Sequence, residues 1–242
     1  MTEPIKAILF DFGQTLVDSA DGFRAAEKEA QVRILNDLTA RAPDAISHDE
    51  FLAEYRRLRK EYQADSRYSR KAIWRAVYDR FACPAEAGVL EHWENAYWRR
   101  VTEMTAPFPE TSDVLEILGK KYRLGLITNT QGQPRAGTHR LAEFPELERH
   151  FEVIVVAGES EIPAKPDPAP YRLCLAELRV EAAEAVYVGD DWRNDVMGAR
   201  EAGLCAIWLK HLAVGRNWPK VETDVPTITT LSPLLDLESL FV

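Results

Sequence analysis

The chain has 242 residues, 46% of them apolar and 29% charged, enough for a substantial core and for one large domain or a domain with an insert. A net charge of −9 argues against nucleic acid or an anionic membrane as a partner, and no apolar run reaches the roughly 18 residues of a membrane span. The three cysteines, Cys83, Cys174 and Cys205, have no paired or metal-ligand spacing, and the opening Met-Thr-Glu-Pro lacks a secretory pattern, so a reducing cytoplasm is the expected compartment.

Taken in order, the first element is the apolar run Ile5–Phe10, bounded by Asp11 and Gly13, which reads as a buried strand ending in a turn. Open α/β sheets gather ligands at the carboxyl ends of their strands, so Asp11 is a turn cap, a nucleophile or a metal ligand. From Asp21 to about Met104 the periodicity is helical, with helices expected over 21–41, 48–65, 69–82 and 85–104. Pro43 and Pro84 break the run, and Ser47 with Glu50 forms a capping box that opens the second helix. The basic cluster Arg56, Arg57, Arg59, Lys60, Arg67, Arg70, Lys71 and Arg75 reads as a solvated helix face, or as an attractor for an anionic substrate.

A proline-rich joint follows at Thr105–Pro109, and the pattern changes. Helices over 111–121, 167–179 and 194–202 alternate with the apolar runs Leu124–Ile127, Val153–Val156, Ala185–Val188 and Cys205–Leu209. Such alternation predicts parallel β-α units with right-handed crossovers. The fold class is therefore α/β, a doubly wound parallel sheet whose first strand is separated from its fellows by an all-helical insert. Cys205 reads as a core residue, Thr227–Thr229 as a short edge strand, and 231–240 as a closing helix.

The strand ends carry the chemistry. Thr128 and Asn129 follow the second strand with groups that suit phosphate oxygens, or simply cap the next helix. Lys165 stands in Lys165-Pro166-Asp167-Pro168, where the prolines stiffen the backbone beneath a cation. The fourth strand ends in Gly189-Asp190-Asp191-Trp192-Arg193-Asn194-Asp195. Three carboxylates within six residues point to a hard cation or to strong hydrogen bonding at a helix end.

These four elements in this order resemble the haloacid dehalogenase-like (HAD) hydrolase superfamily, from about Ile5 to Leu209. The resemblance implies a Rossmann-like core at 1–17 and 106–242, and a four-helix cap of the C1 type at 18–105. It also implies a phosphate monoester hydrolase acting through an aspartyl-phosphate on a small phosphorylated metabolite. Asp11 would be the nucleophile. Thr128, Asn129 and Lys165 would bind the transferring phosphoryl group, and Mg2+ would be held by Asp11, the Gly13 carbonyl and Asp190, with Asp195 orienting a metal-bound water or Lys165.

One position departs from the family's phosphatases, which carry a second aspartate as general acid where this chain has Gly13. Gln14 cannot substitute, because an amide has no useful pKa. Three readings follow: a phosphatase whose acid lies elsewhere or whose leaving group needs little protonation, a 2-haloacid dehalogenase, or a catalytically weak scaffold with a binding role. The retained acidic motif favours the first. Substrate identity and oligomeric state are not legible in the residues.

Overall fold

A computed structural model describes residues 4–42, 46–64, 69–130, 132 and 140–241. The first three residues of the chain, the expected break at Pro43 and Arg67 of the basic cluster lie outside the described residues. The chain divides into two compact units. One gathers residues up to Ala20, Thr105–Thr130 and the described residues from Arg140 onward; the other holds Asp21–Met104.

The first unit is built on a six-stranded parallel sheet. Its strands are β1 (Ala7–Phe10), β4 (Arg123–Asn129), β5 (Val153–Ala157), β6 (Ala185–Gly189), β7 (Cys205–Leu209) and β8 (Thr227–Ile228), in the order β5-β4-β1-β6-β7-β8. All four residues of β1 are buried, as expected where helices cover both faces of a parallel sheet and the strand sequence is continuously apolar. The chain runs outward from β1 to one edge through β4 and β5, then to the other through β6, β7 and β8. The order therefore reverses beside β1, and the crevice outside the carboxyl ends of β4, β1 and β6 is where such a sheet takes ligands.

Two apolar layers flank the sheet. Ile8, Phe10, Leu126, Val186 and Val188 pack on one side with α5 (Thr111–Leu118) and the closing segment. Leu9, Ile127 and Tyr187 pack on the other with α7 (Ala169–Leu178). Cys174 on α7 is the fully buried cysteine, whereas Cys205, expected in the core, opens β7 partly exposed.

The second unit consists of α1 (Ala20–Arg41, whose first residue belongs to the sheet unit), α2 (His48–Ala64), α3 (Arg70–Arg80) and α4 (Ala87–Glu103) around an aromatic core that includes Phe51, Tyr55, Trp74, Tyr78 and Trp98. The capping residue of the second helix is where the sequence places it: Ser47 Oγ accepts from Glu50 N at 3.2 Å. The basic cluster is not wholly a solvated face. Arg70 is 6% exposed, lies 3.9 Å from Glu27 and stacks over Tyr97.

Other elements differ from the sequence expectations. The proline-rich joint contains β3 (Ala106–Pro107), which pairs antiparallel with β2 (Val17–Asp18). Neither two-residue strand is long enough to show a period. A short helix, α6 (Pro145–Glu148), precedes β5. The helix expected at 194–202 begins as a π-turn over Trp192–Met197 before continuing as α8 (Gly198–Glu201), and the closing helix is 3-10, bent at Asp236. Among the described residues no helix is long and apolar enough to cross a membrane.

Candidate active site

Register brings the expected residues to one end of the sheet. Phe10 on β1 lies opposite Leu126 on β4 and Val188 on β6, so Asp11 stands level with Ile127 and Gly189, the residues that immediately precede Thr128 and Asp190. Asp11 N donates to Val188 O at 3.0 Å, which fixes the carboxylate beside the end of β6. Asp11, Thr128, Lys165, Asp190 and Asp195 are all buried, with exposures between 1% and 8%. One carboxylate oxygen from each of Asp11, Asp190 and Asp195 lies within 4.8 Å of the others. Gly13 sits two residues beyond Asp11, paired with Val17 in an isolated bridge.

Lys165 is at the centre of this arrangement and not on the surface. Its Nζ has four acceptors within reach of its three N–H groups: Asp11 Oδ1 at 2.8 Å, Asp195 Oδ1 at 2.7 Å, Ile127 O at 3.0 Å and Tyr187 Oη at 2.8 Å. Burial by itself would lower the pKa of this ammonium. The carboxylates of Asp11 and Asp195 outweigh it, and the group stays charged above the ordinary lysine range. Asn129 holds the lysine's backbone from both sides: its Oδ1 accepts from Lys165 N at 2.7 Å and its Nδ2 donates to Lys165 O at 3.1 Å. The side chain of Asn129 is thus engaged in placing Lys165, and its contribution to a phosphate site would come from its backbone.

The acidic cluster is held from below. Asp195 Oδ2 accepts from Asp191 N at 2.8 Å, and the Asp191 side chain accepts from Asn194 N at 2.8 Å, capping the turn that carries Asp195. Gly189 makes room: a Cβ there would lie 2.4 Å from Asp195 Cγ. Burial, then the charges of Asp195 and Asp11, push the Asp190 carboxyl well above the usual carboxylate range, with Arg216 opposing. Burial also raises Asp195, to about 6, against the pull of Lys165. Three buried carboxyl groups face the buried Lys165 ammonium and the partly exposed Arg216 guanidinium, and hard oxygen donors crowded together in this way are the chemistry that fits a divalent cation.

Sequence reasoning misses Tyr187, Trp208 and Arg216. The Tyr187 hydroxyl donates to Ile127 O at 2.9 Å, and Trp208 Nε1 donates to Asp190 O at 2.9 Å. A tyrosine and a tryptophan inside apolar strands need partners for their polar ends, and that is the signal by which these two could be found.

A haloacid dehalogenase-like hydrolase model matches residues 5–203. The chain belongs to that family. Among HAD relatives, 5-amino-6-(5-phospho-D-ribitylamino)uracil phosphatase YigB of Escherichia coli (strain K12) is 29% identical over 214 residues, spanning 85% of this chain and 84% of the relative. A HAD phosphatase structure from Thermococcus onnurineus superposes with a TM-score of 0.68 at 24% identity, covering 97% and 98% of the two chains. A 2-haloacid dehalogenase structure from Pseudomonas syringae pv. Tomato DC3000 gives a TM-score of 0.64 at 28% identity, covering 98% and 100%. The chain is thus a HAD-type hydrolase, with relatives named for both chemistries of that family.

Proposed function

We propose that this HAD hydrolase is a magnesium-dependent phosphate monoesterase acting on a small phosphorylated metabolite through Asp11. The observation that carries the reading is the convergence of Asp11, Asp190 and Asp195 to within 4.8 Å of one another, with the Lys165 ammonium bound to Asp11 and Asp195. Halide displacement needs no metal ion, whereas three mutually repelling buried carboxylates are costly to maintain without one. Asp11, Asp190 and the Gly13 carbonyl would hold the ion, with Asp195 beside it. When bound, the ion would offset charge on the phosphoryl oxygens.

The remaining steps belong to the chain's own groups. An Asp11 oxygen attacks phosphorus in line, and the bond from phosphorus to the leaving oxygen breaks. Lys165 and Thr128 hold the equatorial oxygens as their charge redistributes. Water then attacks the same phosphorus, releasing inorganic phosphate and restoring the carboxylate. Asp195, bound to Lys165 Nζ and to the Asp191 amide, keeps the ammonium aimed. The four-helix insert, 18–105, is the proposed substrate-selecting cap.

The leaving group is constrained by Gly13. The nearest atom to a Cβ placed there is Arg140 Nη2, at 3.7 Å, so a guanidinium and not a carboxylic acid lies closest to that position. A guanidinium gives up no proton near neutral pH. The reading therefore favours substrates whose leaving oxygen needs little protonation, such as anomeric phosphates, acyl phosphates and anhydrides.

The test is phosphate release from p-nitrophenyl phosphate and from a panel of sugar 1-phosphates and acyl phosphates, with and without MgCl2. Turnover should require the ion and fall by about 10³-fold or more in Asp11→Asn. The 28% identity to a dehalogenase supplies the competing reading. Metal-independent halide release from 2-chloropropionate, without phosphate release, would establish that one instead.

A further inference from the structure

A cation already sits against the acidic cluster. Arg216 lies in the long connection between β7 and β8, and its Nη1 donates to Asp190 Oδ2 while Nη2 lies 3.6 Å from Asp191 Oδ2. Its guanidinium stacks 4.6 Å from the centre of the Trp218 ring, and Trp218 meets Trp208 edge to face at 6.4 Å. Trp208 in turn donates to the Asp190 carbonyl. The near end of the connection is pinned: His211 stacks on Phe108 with ring centres 3.5 Å apart, and its Nε2 is 3.0 Å from Glu110 Oε1. Arg216 is therefore held by two carboxylates and an aromatic face, yet its side chain remains 36% exposed. It can swing into solvent without breaking the core.

We propose that Arg216 is a resident counter-cation of the acidic cluster, which a divalent ion must displace from Asp190, so that this connection weakens metal binding and moves when the metal arrives. The inference rests on the metal reading given above. Its physical ground is competition. A guanidinium and a hard divalent ion both seek the Asp190 carboxylate, and two cations drawn to the same oxygens repel each other at low local dielectric. The arginine neutralises part of the buried charge, and Trp218 gives it a place to rest.

The experiment titrates MgCl2 into the wild type, Arg216→Gln and Arg216→Lys, reading the thermal midpoint and tryptophan fluorescence. Arg216→Gln should bind Mg2+ about three- to tenfold more tightly, the scale of losing one partly exposed ion pair. Arg216→Lys keeps the charge and should stay close to the wild type in affinity. Fluorescence of the wild type should change as the guanidinium leaves Trp218, and this response should be much smaller in Arg216→Gln. Equal or weaker Mg2+ binding by Arg216→Gln, with the wild type still stabilised by Mg2+, overturns this inference alone. Absence of any Mg2+ effect in all three proteins overturns the metal reading and this inference together.

Discussion

Gly189 carries no side chain, and Asp195 occupies the room that one would need. The backbone at Gly189 has no positive φ, so alanine is conformationally acceptable there and only the collision matters. Gly189→Ala should therefore fold, with an unchanged far-ultraviolet circular dichroism spectrum, while displacing Asp195 and through it Lys165. Misplacement on the order of 1 Å in a reacting constellation costs about 10²-fold, so kcat should fall by that order and Mg2+ should stabilise the variant less than the wild type. At this scale the sequence names residues that the structure brings together, but not their surroundings. Lys165 stands out through its prolines, but its four partners come from β4, β6, the residue that follows β1 and a turn. No spacing rule connects positions separated by as many as 154 residues.

The helices of the insert are fastened by a buried charge group. Glu27 on α1 accepts from Tyr97 Oη at 3.1 Å on α4, and lies 3.3 Å from Arg59 on α2 and 3.9 Å from Arg70 on α3. One carboxylate thus ties all four helices. Glu27→Ala removes the carboxylate that faces the buried Arg70 guanidinium, which costs about 3–5 kcal/mol and should lower the thermal midpoint on the order of 10 °C. Replacing both members, Glu27→Ala with Arg70→Met, should cost less than the single change, because the charge then left without Glu27 is that of Arg59, whose side chain reaches solvent. A double variant as unstable as Glu27→Ala would contradict this account. The helices themselves are legible from periodicity and from the Ser47 cap, and their ends differ from expectation by only a few residues. Glu27 is not legible: a single acidic residue on α1 looks solvent-facing until Tyr97 arrives from α4, 70 residues away.

For the whole molecule, the acidic cluster links stability, pH and metal. Asp195 sits near 6 and Asp190 well above the usual range, so the folded state binds more protons there than the unfolded chain does. The contribution of these two groups to the stability of the metal-free protein is present at low pH. It is lost as pH rises from the unfolded carboxylate value, about 4, through the folded values. A divalent ion requires the ionised forms and reverses the balance. The rise in thermal midpoint produced by MgCl2 should thus be small at pH 5 and grow toward pH 7 and above, and Asp190→Asn should abolish it. A shift independent of pH would separate these carboxylates from the metal.

Composition, alternation and four short motifs by themselves determined the parallel α/β class, the helical insert and the residues placed at the strand ends, because apolar period and turn chemistry are local properties of a chain. Only the tertiary structure decided that Lys165 is buried among carboxylates, that Arg216 returns to Asp190, that Arg140 stands closest to the position a side chain would take at Gly13, and that Val17–Asp18 pairs with Ala106–Pro107. Each of these is a contact between segments far apart in sequence, whose partners are chosen by how the layers pack rather than by any pattern along the chain.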